Sequence, residues 1–171
     1  NIKELTLIAQ DLTAYGLDFG DPDIDLVVLL KEIVSNSTIP WIRLLYLYPV
    51  RLGDQLLDFI ASNPRILPYF DIPLQHVSDR ILKLMNRPYS LKESEALIER
   101  IRAKIPDAAI RTTFMVGFPG EKEEDVDILA RFMERYELDH VGIFTYSNEE
   151  GCKARSFPDH CTEDVKEERL S

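Results

Sequence analysis

Cysteine is nearly missing, with two in 171 residues, Cys152 and Cys161. Two are too few to staple a secreted domain of this size, and their spacing matches no common zinc or iron–sulfur pattern. With His160 they offer only three ligands in crowded spacing, which argues against a zinc site. Long apolar runs are missing as well: none reaches the length that spans a bilayer, and the opening residues lack the shape of a signal peptide. A cytoplasmic location without membrane contact is the default expectation. Basic residues are short, 20 Lys and Arg against 30 Asp and Glu for a net charge of −10. Such a surface repels phosphate backbones on average, so direct nucleic-acid binding by this segment is not expected. There is no internal repeat and no low-complexity tract.

What is present is the composition of a globular protein, 45% hydrophobic and 29% charged, in a chain long enough to bury a real core. Five runs rich in β-branched, leucine and aromatic residues recur along it: LTLIAQD (5–11), WIRLLYLYP (41–49), YFDIPLQH (69–76), AIRTTFMVGFPG (109–120) and HVGIFTYS (140–147). Each is followed by helical spacing. Runs apolar nearly throughout predict strands of a parallel sheet covered on both faces. Leu26, Leu29, Leu30, Ile33 and Val34 share one helical face, as do Leu97, Ile98, Ile101 and Ile105. Ser90 and Glu93 form an S-x-x-E capping box before the second of these helices. Further helices are expected over 54–62, 79–86 and 122–136, with loops at 15–25 and 148–164. The order β-α-β-α predicts an α/β fold with right-handed crossovers, as a barrel, a partial barrel or an open sheet. The closing charged segment reads as a solvated helix face, and His140 as a surface residue.

Ligands of parallel α/β sheets bind at the carboxyl ends of the strands. The runs end in Gln10 and Asp11; in Tyr46, Tyr48 and Pro49; in Gln75 and His76; in Gly117, Phe118, Pro119, Gly120 and Glu121; and in Tyr146 and Ser147. Every end offers a hydrogen-bonding side chain or a Gly-Pro turn that exposes backbone. Gln75 and His76 could cap the helix that follows, next to Ser78 and Asp79, which are good N-cap types themselves. On one strand that reading would win; five coincident strand ends favour a binding site. Arg111, if it points inward, needs a partner, and a ligand carboxylate, Asp11 and Asp71 would each serve. The GFPGE stretch is not a phosphate loop, since no Lys-Ser/Thr pair follows and the acidic run EKEED would oppose a phosphate.

AQDLTAYG, LLYLYP, FDIPLQH followed by SDRILKLMNR, and RTTFMVGFPGEKEED, in that order and spread over nearly the whole chain, resemble the radical SAM core of the methylthiotransferases. AQD and QH are similar to the RimO-type branch, which modifies a ribosomal protein; the tRNA-modifying branch more often shows GQN and QSGS there. The resemblance implies a partial parallel (β/α) barrel of the radical SAM type that binds S-adenosylmethionine and a 4Fe-4S cluster. It implies cleavage of the sulfonium by the reduced cluster, hydrogen abstraction from the β-carbon of an aspartate in a small-subunit ribosomal protein, and sulfur and methyl delivery aided by a second cluster and an electron donor. It places Gln10 and Asp11 at the methionine part, Gln75 with His76 near the ribose and methionine, and Arg111 at the methionine carboxylate. Val116, Gly117, Phe118 and Pro119, with Phe144 and Tyr146, fall on the adenine side. No residue is assigned a catalytic or metal-binding role.

One departure is large. The family's cluster-binding C-x-x-x-C-x-x-C does not occur here. With Asn at position 1 and a helix-like segment at the end, residues 1–171 read as a fragment of one catalytic domain. It has about five strands and lacks the first strand, the cluster loop and the flanking domains; such a fragment is expected to be inactive alone. The competing readings are a tRNA methylthiotransferase core, a cofactor-free barrel enzyme using His76 and Asp71 as acid and base, and a binding module without chemistry.

Overall fold

The computed structural model describes residues 2–170. Its strands and helices follow the expected order: β1 (Glu4–Leu7), α1 (Leu26–Asn36), β2 (Trp41–Leu44), α2 (Asp54–Ser62), β3 (Tyr69–Asp71), α3 (Asp79–Leu84), α4 (Leu91–Lys104), β4 (Ala109–Val116), α5 (Glu123–Tyr136), β5 (His140–Thr145) and α6 (Glu163–Leu170). The first three strands stop well short of their apolar runs, because the polar residues that close each run leave the ladder for turns. Short 3-10 turns at Leu12–Ala14 and Pro49–Arg51 follow β1 and β2. The chain falls into two compact units: residues through Pro73 with Ala96–Arg111, and Leu74–Glu95 with Thr112 onward.

In the first unit β1 and β2 pair in parallel, from Glu4 opposite Trp41 to Leu7 opposite Leu44. There β3 pairs in parallel with the opening of β4, from Tyr69 opposite Ala109 to Asp71 opposite Arg111. The buried set joins Leu26, Val27 and Leu30 of α1, Leu56, Leu57 and Ile60 of α2, and Ile42, Leu44, Phe70 and Ile72. Each contributes about 1.5–3 kcal/mol of apolar burial. Helix α1 is held at both ends. The Asp25 carboxylate accepts the Val28 N–H at 2.8 Å, and Arg65 donates to the carbonyls of Val34 and Ile39 at 2.7 and 2.8 Å. In the expected loop at 15–25, Gly16 has φ +91° and a Cβ there would lie 2.0 Å from the Ile24 carbonyl oxygen. Only glycine fits.

In the second unit α4 starts from the expected capping box. Ser90 Oγ accepts the Glu93 N–H at 3.3 Å while the Glu93 carboxylate accepts the Ser90 N–H at 2.7 Å. Bonds from the Ser90 hydroxyl and backbone hold the Glu93 carboxyl below its ordinary range. The other neighbour of β4 is β5. Ile81, Phe118, Tyr146 and Ala154 form a buried cluster, extended by Met85, Met115 and Phe157.

Two expectations need correction. Burial along β4 alternates: Ile110, Thr112, Phe114 and Val116 are buried, while Ala109, Arg111, Thr113 and Met115 stay partly open, and no residue of β5 is fully buried. One face of β4 is therefore fully covered and the other only in part, and Arg111 and Thr113 on the partly open face were the polar interruptions that the run contained. The closing helix is not wholly solvated either. Lys166 and Arg169 of α6 turn inward, the first buried and the second with a side chain 9% exposed. His140 is exposed, as expected. Among the described residues no helix is long and apolar enough to cross a membrane.

Candidate functional site

In the first unit, Gln10 lies exposed beyond β1. Asp11 is engaged by its own surroundings, accepting Thr13 Oγ1 and Arg51 Nη1, each at 2.5 Å. Arg111 finds its partner in Asp71, with Nη1 donating to Oδ1 at 2.7 Å. That bond, reinforced by the negative charge of Asp71, raises the guanidinium pKa above its ordinary value. Of the three partners left open by sequence, Asp71 is the one the fold supplies, because β3 and β4 pair in a register that sets Asp71 opposite Arg111. Asp71 also accepts the Tyr46 N–H at 3.2 Å.

In the second unit, Gln75 sits at φ +63°, a left-handed conformation that a non-glycine residue adopts at a cost. Its backbone bridges β4, its N–H donating to Thr113 O at 2.8 Å and its carbonyl accepting the Met115 N–H at 2.7 Å. The half-buried carboxamide is turned away from any protein hydrogen bond among the described residues. His76 has a different task. Its ring is fully buried, and Nδ1 accepts the N–H groups of Val77 and Ser78, both at 2.9 Å. Two donors at Nδ1 place the ring proton on Nε2, which faces Glu121 Oε2 at 3.5 Å. His76 thus covers orphan donors ahead of α3, the capping role weighed from sequence. Ser78, the N-cap residue, turns its hydroxyl to Asp125 Oδ1 instead, at 2.6 Å.

The Val116–Pro119 turn is buried throughout. Gly117, at φ +72°, donates its N–H to Glu121 Oε1 at 2.9 Å. A Cβ there would lie 2.5 Å from Cγ of Lys166, whose stem fills that space. Glu121 also receives Arg169 Nη1 at 2.8 Å, so this buried carboxylate ties the turn to α6. Phe118 stacks edge-to-face on Tyr146, ring centroids 5.3 Å apart. Burial pushes the Tyr146 phenol pKa up, and its buried hydroxyl has no hydrogen-bond partner among the described residues. The rings of Phe118 and Tyr146 are thus core, whereas Phe144 is 59% exposed.

Sequence reasoning missed Glu121, Arg169 and Lys166 as parts of this arrangement. Glu121 was visible as a strand-end acid; nothing in EDVKEERL signalled which cations turn inward.

The acid–base alternative fails on geometry. His76 is sealed from solvent with Nδ1 occupied, and Asp71 is 1% exposed and bonded to Arg111 and Tyr46. Among the described residues, unspent hydrogen-bonding groups remain in each unit: part of the Arg111 guanidinium in the first and the Gln75 carboxamide in the second. They do not suit an iron–sulfur cluster. Cys152 is exposed and Cys161 lies against Arg169, and among the described residues no three or more His, Cys, Asp or Glu could hold a metal ion.

The family model of the radical SAM superfamily matches residues 7–133. The ribosomal protein uS12 methylthiotransferase RimO of Desulfotalea psychrophila is 55% identical over 170 residues, 99% of this chain and 38% of the relative. The enzyme of the same name from Aquifex aeolicus is 49% identical over 168 residues, 98% and 39% of the two chains. Among solved structures, the radical SAM enzyme coproporphyrinogen III oxidase (HemN) from Escherichia coli superposes with a TM-score of 0.69 at 16% identity, over 85% of this chain and 34% of that one. The radical S-adenosylmethionine methyltransferase TsrM from Kitasatospora setae gives 0.63 at 16% identity, over 84% and 26%. These structural likenesses bear on the fold alone, and they agree with the expected partial parallel barrel. The chain spans 38% of the length of the first of these curated relatives.

Proposed function

Because this chain belongs to the radical SAM superfamily, we propose that it supplies the S-adenosylmethionine-binding part of a methylthiotransferase acting on ribosomal protein uS12. The observation that carries the reading is identity of 55% over 99% of the chain with an enzyme named for that reaction. Arg111, with Gln10 and Asp11, is assigned to the methionine end of the cofactor, and Gln75 to the ribose and methionine. The Val116–Pro119 backbone and the Phe144 ring are assigned to the adenine, with Tyr146 behind them. His76 acts one step back, fixing the chain that carries Gln75.

When bound, S-adenosylmethionine supplies a sulfonium open to reductive cleavage. The residues of this chain bind, orient and shield it from water. The cluster that would deliver the electron has no ligands among the described residues. An electron donor and ribosomal protein uS12 are the proposed partners.

The test is to assay the full-length enzyme, reconstituted anaerobically, on ribosomes and on tRNA, reading product mass. A mass gain of one methylthio group on uS12 supports the proposal; modification confined to tRNA overturns it in favour of the tRNA branch.

A further inference from the structure

Helix α3 buries Ile81 and Leu82 and leaves Lys83 and Leu84 exposed. It stops where Asn86 turns left-handed at φ +55°, with the Asn86 N–H donating to Lys83 O at 3.2 Å and the Arg87 N–H to Leu82 O at 2.8 Å. Asparagine takes that conformation at little cost and often ends a helix in this way. Beyond β5, the 3-10 turn Lys153–Ser156 buries Ala154 and leads into Phe157, whose ring meets Phe118 edge-to-face with centroids 6.2 Å apart. Between these two segments, both within the second unit, runs a groove of about 780 Å³ lined by Arg80, Lys83, Leu84, Asn86, Lys153 and Phe157.

That lining holds three cations and no acid, in a chain of net charge −10. Arg80 is partly engaged by Asp125, with its side chain 43% exposed. The Lys83 and Lys153 ammonium groups are exposed and take neither an ion pair nor a hydrogen bond among the described residues. A cation suits the last turn of α3, where Lys83 stands. That does not account for Lys153, which reaches the same groove from a separate segment. Gathering unneutralised cations around one groove raises their mutual repulsion, so fold stability does not explain the arrangement.

We infer that the groove between α3 and the Lys153–Phe157 segment docks an acidic segment of a partner protein. Its carboxylates pair with Lys83, Lys153 and the unspent part of Arg80, and an apolar side chain sits on Leu84 and Phe157. Charge complementarity selects the anion. A nucleic acid fits less well, because its backbone would run on over a surface that is negative on average. A small free anion would leave Phe157 and the exposed Leu84 uncovered. An acidic peptide with interspersed apolar residues satisfies both parts of the lining, and the volume is that of a site for a short segment. Nothing in this inference depends on the proposed function.

The test is fluorescence anisotropy on the full-length enzyme with a fluorescein-labelled nonapeptide of Glu-Glu-Leu repeats. Lys83→Glu/Lys153→Glu should weaken binding roughly tenfold, and so should raising salt from about 0.05 M to about 0.5 M. Lys31→Glu/Lys92→Glu makes an equal change of net charge at exposed positions outside the groove, and should leave the Kd within about twofold of wild type. Replacing Leu by Ser in the peptide, and Leu84→Ser in the protein, should each weaken binding several-fold. Melting curves should place every variant within about 3 °C of wild type. Because a glutamate at position 83 opposes the helix end, Lys83→Gln/Lys153→Gln serves as a second variant, which removes the charges alone and should still weaken binding. No binding by wild type, equal weakening in the two reversed pairs, or equal affinity for the Leu and Ser peptides overturns the inference. Tighter binding of a labelled single-stranded DNA nonamer, lost in Lys83→Glu/Lys153→Glu, overturns it in favour of a nucleic-acid surface. All readings are made without S-adenosylmethionine, so they stand whether or not the proposed function does.

Discussion

At the scale of single residues, neighbouring positions divide sharply between holding the fold and offering chemistry. Gln75 and His76 are adjacent, yet the histidine is sealed with Nδ1 accepting two backbone N–H groups, while the carboxamide makes no hydrogen bond among the described residues. Gln75→Ala in the full-length enzyme should weaken S-adenosylmethionine binding roughly tenfold and shift Tm by no more than about 2 °C. Titration calorimetry and a melting curve check the two halves; an equal stability loss with unchanged affinity would return Gln75 to a structural role. Asp125 illustrates a charge that serves the fold. Burial opposes its ionisation, but bonds from Ser78 Oγ, the Lys122 N–H and Arg80 outweigh that and lower its pKa. A carboxyl with a depressed native pKa contributes stability above its unfolded pKa and loses it as pH falls through the native one. Urea titrations of Asp125→Asn should therefore show lower stability than wild type at neutral pH, with a shallower decline below about pH 4.

Among the elements, α6 departs furthest from its sequence. EDVKEERL has only Val165 and Leu170 as apolar residues, so no buried face was legible; the inward turn of Arg169 depends on Glu121, 48 positions away in the chain, and the Lys166 stem packs over Gly117. Arg169 and Glu121 form a buried pair at 2.8 Å. Removing one partner of such a pair costs about 3–5 kcal/mol, so Arg169→Ala should lose stability on that order in urea unfolding. Glu121→Gln added to Arg169→Ala should recover part of the loss, since the amide still accepts the Gly117 N–H without a stranded charge. Helices α1, α2, α4 and α5 were legible because apolar spacing and caps are local. Strand lengths were not, since Leu7, Leu44 and Asp71 end their strands through turn conformations that an apolar run does not encode. The left-handed backbone at Tyr46 and Gln75 is likewise invisible in sequence, being imposed by partners such as Asp71 and Thr113.

For the whole molecule, the polar character of the strand ends was readable, whereas the division of labour among them was not. Of the two carboxylates within the chain that could have paired with Arg111, Asp11 and Asp71, strand register decided for Asp71. Phe118 and Tyr146 were as good candidates for a nucleobase wall as Phe144 until packing left Phe144 exposed. The central claim is that the strand ends of this chain receive S-adenosylmethionine. Hydrogen–deuterium exchange of the full-length enzyme with and without S-adenosylmethionine tests it most directly. Protection on binding should appear at residues 44–47, 74–76, 115–119 and 143–146, and not in the outer turns of α2 or α5. Binding that protects none of those strand ends, or protects only segments outside them, would contradict the claim.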